Sequence, residues 1–130
     1  MAVMSNLALS VLPDALAICR LSSDVPKPDW ALAGDFFSIT RTADELSIVC
    51  PQSNVPPEIQ CDRDWRCLKV EGPLDLSLIG ILASLTVPLA RMGICIFVVS
   101  TYDTDYVLVK EKRLEEAVLV LSQEGHHVRE

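Results

Sequence analysis

The stretch that most constrains this chain is residues 94–110, ICIFVVSTYDTDYVLVK. Residues 94–99 are an unbroken apolar run rich in β-branched side chains, the composition of a strand covered on both faces. Residues 106–109 are a second such run. Between them lies a polar connection, Ser100-Thr101-Tyr102-Asp103-Thr104-Asp105, with turn-forming residues and two carboxylates. Polar groups held between two buried strands are costly unless a turn exposes them or a ligand uses them. This connection is therefore the first place to look for function.

At 130 residues, half of them hydrophobic, the chain can bury one sizeable core or two small modules that share one, and it is not disordered. Eighteen acidic residues against eleven basic ones give a formal charge of −7. That balance argues against nucleic acid as a partner, because such affinity is largely cationic neutralisation of phosphates. The densest basic group, Lys110-Lys112-Arg113, reads as ordinary solvated surface. The first nineteen residues are apolar but contain Pro13 and Asp14, and no base precedes Arg20. They suit neither a signal peptide nor a membrane span, so a cytoplasmic protein with no membrane partner is expected.

Cys19, Cys50, Cys61, Cys67 and Cys95 are odd in number and contain no CxxC pair. They read as reduced thiols in apolar settings, without a disulfide framework or a zinc site. His126 and His127 are adjacent, would point to opposite faces of a strand, and read as surface tail residues. No metal and no cofactor is expected.

Residues 6–12 and 15–21 are strand candidates joined at Pro13-Asp14, forming a hairpin or one long bent strand. Residues 29–33 suit one helical turn ended by Gly34, and 36–42 with 45–51 form a second hairpin. Pro56-Pro57 marks the internal boundary. Beyond it, a strand at 65–71 is broken by Gly72-Pro73. A helix follows, capped by Asp75 or Ser77 and apolar almost all round. Gly80 inside it reads as a close-packing position. Pro88 removes a backbone donor and clashes with the carbonyl of Ser84, which predicts a kink or an early stop. After the central hairpin, residues 113–123 form an amphipathic helix with Leu114, Ala117, Val118 and Leu121 on one face, and 126–130 at most a short strand. Strand, helix, strand, strand, helix, strand is the α+β, ferredoxin-like plan. The first two strands of that plan are expected at the centre of the sheet.

The motif STYDTDYVLV, preceded by PLARMGICIF, resembles the signature of the ACT-domain group that includes the animal cytosolic arginine sensors and many small bacterial proteins. The similarity covers residues 65–124. ACT domains use the ferredoxin-like plan, so pattern and resemblance agree. Together they imply a ferredoxin-like (βαββαβ) ACT module over residues 59–130. A second, degenerate, β-rich ACT-like module over residues 1–58 would pack beside it. The resemblance also implies an effector site at an interface between ACT modules. Thr101, Tyr102 and Asp105 carry over to it from the motif, with backbone groups at Cys95 and Ile96 edging the pocket.

The residues suggest how such a site divides. The Gly72-Pro73-Leu74-Asp75 loop leads into a helix N-terminus, whose free amides suit an anion. Donors near Leu74, Leu76 and Ser77 would take a carboxylate. Asp105, with Asp103, would take an ammonium or a basic side chain, and Thr101 and Tyr102 would add hydroxyl and backbone contacts. The loop and the turn need not lie at one end of one module, and can meet across an interface with a second one. Asp75 stands where many amino-acid-binding ACT loops are glycine-rich, and its carboxylate opposes an incoming one.

The expected function is a non-catalytic sensor or regulatory module for an amino acid or similar small metabolite. It would work as a homo-oligomer, such as a dimer, or on a partner protein. The alternative is a protein–protein interaction or oligomerisation module without a small-molecule ligand, in which Asp103 and Asp105 serve only as turn caps. An enzyme is not expected: Ser77 and Ser84 lack the context of a nucleophile, and no phosphate-binding loop is present. The exposed aromatics and basic flanks of an RNA-binding sheet are missing as well.

Overall fold

The computed structural model describes residues 6–75 and 77–130. The chain forms two compact units, one of Asp14–Trp65 and one of Met1–Pro13 with Arg66–Glu130.

The smaller unit contains β2 (Leu16–Leu21), β3 (Ser38–Arg41), β4 (Leu46–Pro51) and residues 61–65 of β5 (Cys61–Val70). Its antiparallel sheet runs β3-β4-β2-β5. This is the ferredoxin-like strand order, with single 3-10 turns at Asp29–Leu32 and Gln52–Asn54 where helices would stand. Ala17, Cys19, Leu46, Ile48 and Cys50 alternate inward from β2 and β4, and Ala31 of the first 3-10 turn covers them. The β2–β5 register shifts between Leu16 and Ile18, and Asp64 opposite takes a left-handed φ of 66°. The Gln52 amide clamps this bulge. Its Oε1 accepts from the Asp64 amide at 2.7 Å and its Nε2 donates to Asp64 Oδ1 at 3.1 Å.

The larger unit contains β1 (Ala8–Val11), residues 66–70 of β5, α1 (Ile81–Arg91), β6 (Ile96–Ser100), β7 (Asp105–Lys110), α2 (Leu114–Gln123) and β8 (His127–Arg129). From β5 onward this is the expected strand, helix, strand, strand, helix, strand order. Leu9, Leu68, Val70, Leu85, Leu89, Val107, Val109 and Leu121 meet in its core.

Three expectations are corrected. First, of the two readings of residues 6–21 the hairpin fails and the long bent strand fits, because β2 pairs antiparallel with Cys61–Trp65 of β5 and β1 pairs antiparallel with Leu68–Val70; β1 does not fold back on β2. It lies between β5 and β8, antiparallel to the former and parallel to the latter. Leu12 N donates to Cys67 O at 2.9 Å, and His127 N donates to Leu7 O at 2.8 Å. By backbone pairing, β1 goes with β5 and β8 of the larger unit. The Pro13-Asp14 turn signal was local, whereas the partner of a strand is set by which free edge it reaches.

Second, the central strands are β5 and β7, while β6 pairs with β7 alone among the described strands. Val107, Leu108 and Val109 are consecutive and fully covered, as a two-faced strand should be. Ile96, Phe97, Val98 and Val99 are only half-buried, because β6 is an edge.

Third, α1 begins at Ile81 and runs unbroken through Pro88 to Arg91. Asp75 and Ser77 do not cap it. Gly80, at φ 84°, occupies the cap position. The carbonyl of Ser84, deprived of a donor by Pro88, lies 3.1 Å from Nε2 of His126. His126 Nδ1 in turn accepts from the Leu7 amide at 3.1 Å. Since that amide can only donate, the ring carries its hydrogen on Nε2 and gives it to Ser84 O. His126 is therefore a buried bridge, 4% exposed, and not a tail residue; His127 is exposed in β8. At the other end of α1, the Arg113 guanidinium donates to the carbonyls of Met92 and Gly93 at 3.0 and 3.3 Å. Arg113 also pairs with Glu116 at 2.8 Å, which holds that carboxyl below its ordinary range.

Among the described residues no helix is long and apolar enough to cross a membrane.

Candidate functional site

The site is built where β5 ends and β7 begins. Ser100 closes β6 opposite Asp105, which opens β7. The turn between them is tied by Thr101: its amide donates to Thr104 O at 2.8 Å, and its Oγ1 accepts from the Thr104 amide at 3.3 Å. Thr104 itself is buried, and its Oγ1 donates to the carbonyl of Val70 at 2.5 Å. The loop after β5 closes on the same turn, with Leu74 N donating to Asp103 O at 2.6 Å. Gly72 permits this approach. A Cβ there would stand 3.0 Å from Asp103 O and 3.2 Å from Thr104 Cβ. Loop and turn thus meet within one unit, without the interface that the sequence left open as a way to join them. Sheet order decides this, because β5 and β7 are neighbours.

Between the loop, the first turn of α1 and the β6–β7 turn lies a cavity of about 290 Å³. Of the residues singled out from sequence, Leu74, Thr101, Tyr102, Asp103 and Asp105 line it. Ser77 does not; its amide and hydroxyl both donate to Asp75 Oδ1 at 2.8 Å. Leu76 falls outside the described residues. Cys95 and Ile96 lie at the opposite end of β6, since Ile96 pairs with Val109 while Ser100 pairs with Asp105.

The lining also takes in Asp75, Ser100 and Thr104, which the sequence placed in the loop and the connection without giving them a binding role, and Leu78, Gly80, Ile81 and Leu82, which it did not assign to a site. Gly80 carried a usable signal, because a glycine in an apolar run can mark a helix start as well as a packing position. Thr104 carried none, since only its burial against Val70 distinguishes it from Thr101.

Three carboxylates, Asp75, Asp103 and Asp105, stand around the cavity, and no Lys, Arg or His lines it. The Ser77 amide and hydroxyl hold the Asp75 carboxyl below its usual range, so it is ionised at neutral pH. Asp105 Oδ1 accepts from Ser100 Oγ at 2.6 Å, which orients that carboxylate. On the other wall, the first turn of α1 has amides without intrahelical acceptors, and Gly80 brings no capping side chain. Carboxylates on one side and an uncapped helix start on the other suit a small zwitterion. Among the described residues no group of three or more His, Cys, Asp or Glu is placed to hold a metal ion.

Thr104→Val tests the hinge between the loop and the turn. The substitution keeps the volume but leaves the Val70 carbonyl without its donor. It should cost about 1–3 kcal/mol in urea denaturation.

Comparison with known proteins agrees with this geometry. The family model for the ACT domain matches residues 60–123, and a model described as an N-terminal domain matches residues 14–58. A curated relative, the cytosolic arginine sensor for mTORC1 subunit 1 of Bos taurus, is 28% identical over 106 residues. That alignment takes in 73% of this chain but 32% of the relative, so the chain spans about a third of its length. The crystal structure of a protein from Agrobacterium tumefaciens superposes with a TM-score of 0.90 at 42% identity, covering 95% of this chain and 92% of the other. The regulatory subunit of aspartate kinase from Thermus thermophilus shares the fold, with a TM-score of 0.61 at 13% identity, over 89% of this chain and 96% of that one. The family match takes in the whole cavity, from Leu74 to Asp105, and the order of elements from β5 onward is that of the fold: over residues 60–123 the chain is an ACT-domain protein.

Proposed function

We propose that this chain is a non-catalytic regulatory module that binds an amino acid, or a metabolite of similar charge pattern, in the cavity beside the β6–β7 turn. The observation that carries this reading is the division of the cavity wall. Asp103 and Asp105 offer carboxylates for an ammonium, and the uncapped start of α1 offers amides for a carboxylate. The volume, about 290 Å³, is at the small end for ligand sites, as an amino acid requires. A relative named for arginine sensing supports the ligand class. Among the described residues no histidine or thiol lines the cavity, and the Ser100 hydroxyl donates to Asp105.

In this reading a second ACT module closes the solvent side of the cavity, where Tyr102 is 81% exposed, and the ligand sits at an ACT–ACT interface. A second copy of this chain in a cytoplasmic dimer would supply it. The smaller unit we take as a degenerate ACT-like copy, on the strength of its strand order. A second reading, an oligomerisation module without a ligand, is favoured by one observation: β6 is an edge strand with half-buried apolar residues.

A thermal-shift screen against the twenty amino acids at millimolar concentration separates the two. A ligand present at a hundred times its Kd stabilises by about 2.7 kcal/mol, so one chemical class should raise the melting midpoint reproducibly. A flat screen, together with a concentration-dependent dimer in sedimentation, would replace the first reading by the second.

A further inference from the structure

The smaller unit holds three cysteines on one face, and two of them are set for a chemistry that the cavity does not use. Cys19 of β2 and Cys61 of β5 are direct Cα partners. Arg20 N donates to Gln60 O at 3.1 Å, so the neighbouring Arg20/Gln60 pair is the hydrogen-bonded one. In an antiparallel ladder these sites alternate, which makes Cys19/Cys61 a non-hydrogen-bonded pair with Cα atoms about 4.5 Å apart. That separation lies within the roughly 4.4–6.8 Å that a disulfide spans. The two side chains share a face and pack in the same small core.

Cys50 lies on the same face but diagonal to Cys19, because Cys50 is the partner of Ala17 and Cys19 that of Ile48. Diagonal pairs sit about 7–8 Å apart, beyond the disulfide range. Direct cross-strand pairing thus favours Cys61 over the diagonal Cys50 as the partner of Cys19.

We infer that Cys19 and Cys61 form an oxidative modification site, closing a cross-strand disulfide between β2 and β5 when a low-molecular-weight disulfide is present. Cys61 is the partly exposed member and Cys19 is buried, which sets the order of events. The Cys61 thiolate attacks one sulfur of the small disulfide, forms a mixed disulfide and expels the first small thiolate, which takes up a proton. The Cys19 thiol then loses its proton to solvent. Its sulfur attacks Cys61 Sγ and expels the second small thiolate. Two protein thiols are oxidised and one disulfide is reduced to two thiols. Burial pushes the Cys61 thiol up and the nearby Arg63 charge offsets this in part, so the exchange is slow compared with that of a solvent-exposed cysteine.

The test is incubation of the full chain with oxidised glutathione, followed by non-reducing peptide mapping. The expected map links the Cys19 and Cys61 peptides, with a total mass lower by two hydrogens. Exposed Cys95, carrying glutathione, reports that the reagent has acted. The link should persist in Cys50→Ser and vanish in Cys61→Ser, where Cys19 stays reduced. Closing this long loop should raise the melting midpoint by about 10 °C, reversed by dithiothreitol. A map that modifies Cys95 but leaves Cys19 and Cys61 free, or that joins Cys19 to Cys50, would overturn the assignment.

Discussion

His126→Ala should destabilise the protein by about 3 kcal/mol in urea denaturation, a large effect for a residue only four positions before Glu130. Three losses combine. The Ser84 carbonyl, already without an intrahelical donor because of Pro88, loses the Nε2 hydrogen. The Leu7 amide loses its acceptor. A ring that is 4% exposed leaves a void between α1 and the start of β1. Each unsatisfied buried group costs roughly 1–3 kcal/mol and the void adds to that, while water entering the space returns part. The attribution to Pro88 has its own check. In a Pro88→Ala background the amide at position 88 is restored, Ser84 O regains a helical donor, and the cost of removing His126 should fall. A double-mutant cycle measures that coupling. A cost below about 1 kcal/mol for His126→Ala, or no coupling to position 88, would show that the bridge does not hold β1 to the helix.

Asp105→Asn should weaken the ligand response roughly 10- to 100-fold while leaving the fold intact. Asparagine keeps an oxygen to accept from Ser100 Oγ, so the β6–β7 hairpin retains its closing bond. What disappears is the negative charge facing the cavity. Charge-assisted hydrogen bonds contribute about 1.5–3 kcal/mol, which sets the expected range. Titration calorimetry with the amino acid found in the screen, on wild type and variant, gives the ratio. Unchanged affinity would remove Asp105 from the site, and a matching loss of stability without ligand would make it a structural turn residue. Thr104→Val provides the contrast, because it should lower stability even with no ligand present.

Much of the larger unit was legible before any coordinates. The 3.6-residue spacing of Leu114, Ala117 and Leu121 reports the buried face of α2 directly, and all three are buried. The unbroken Val107-Leu108-Val109 run identified a strand covered on both sides. The polar residues between the two runs marked one wall of the cavity, since nothing local explained their placement between apolar strands. Other features misled. Asp75 and Ser77 look like helix caps, yet they bond to each other, and Gly80 ends the loop instead. The same residue types satisfy an Asx turn as well as an N-cap, and their order in sequence does not distinguish the two.

What the sequence by itself determined was the type and order of elements in the C-terminal half, and the motif that identifies them. Periodicity, β-branching and turn residues act within a few positions, so they are readable locally. Only the tertiary structure decided the rest. It inserted β1 between β5 and β8, buried His126 under the gap that Pro88 leaves, left β6 at an edge, and closed the Gly72–Asp75 loop onto Asp103. Each of these is a pairing between residues far apart in the chain. Such pairings follow from which edges and carbonyls remain unsatisfied once the sheet has formed.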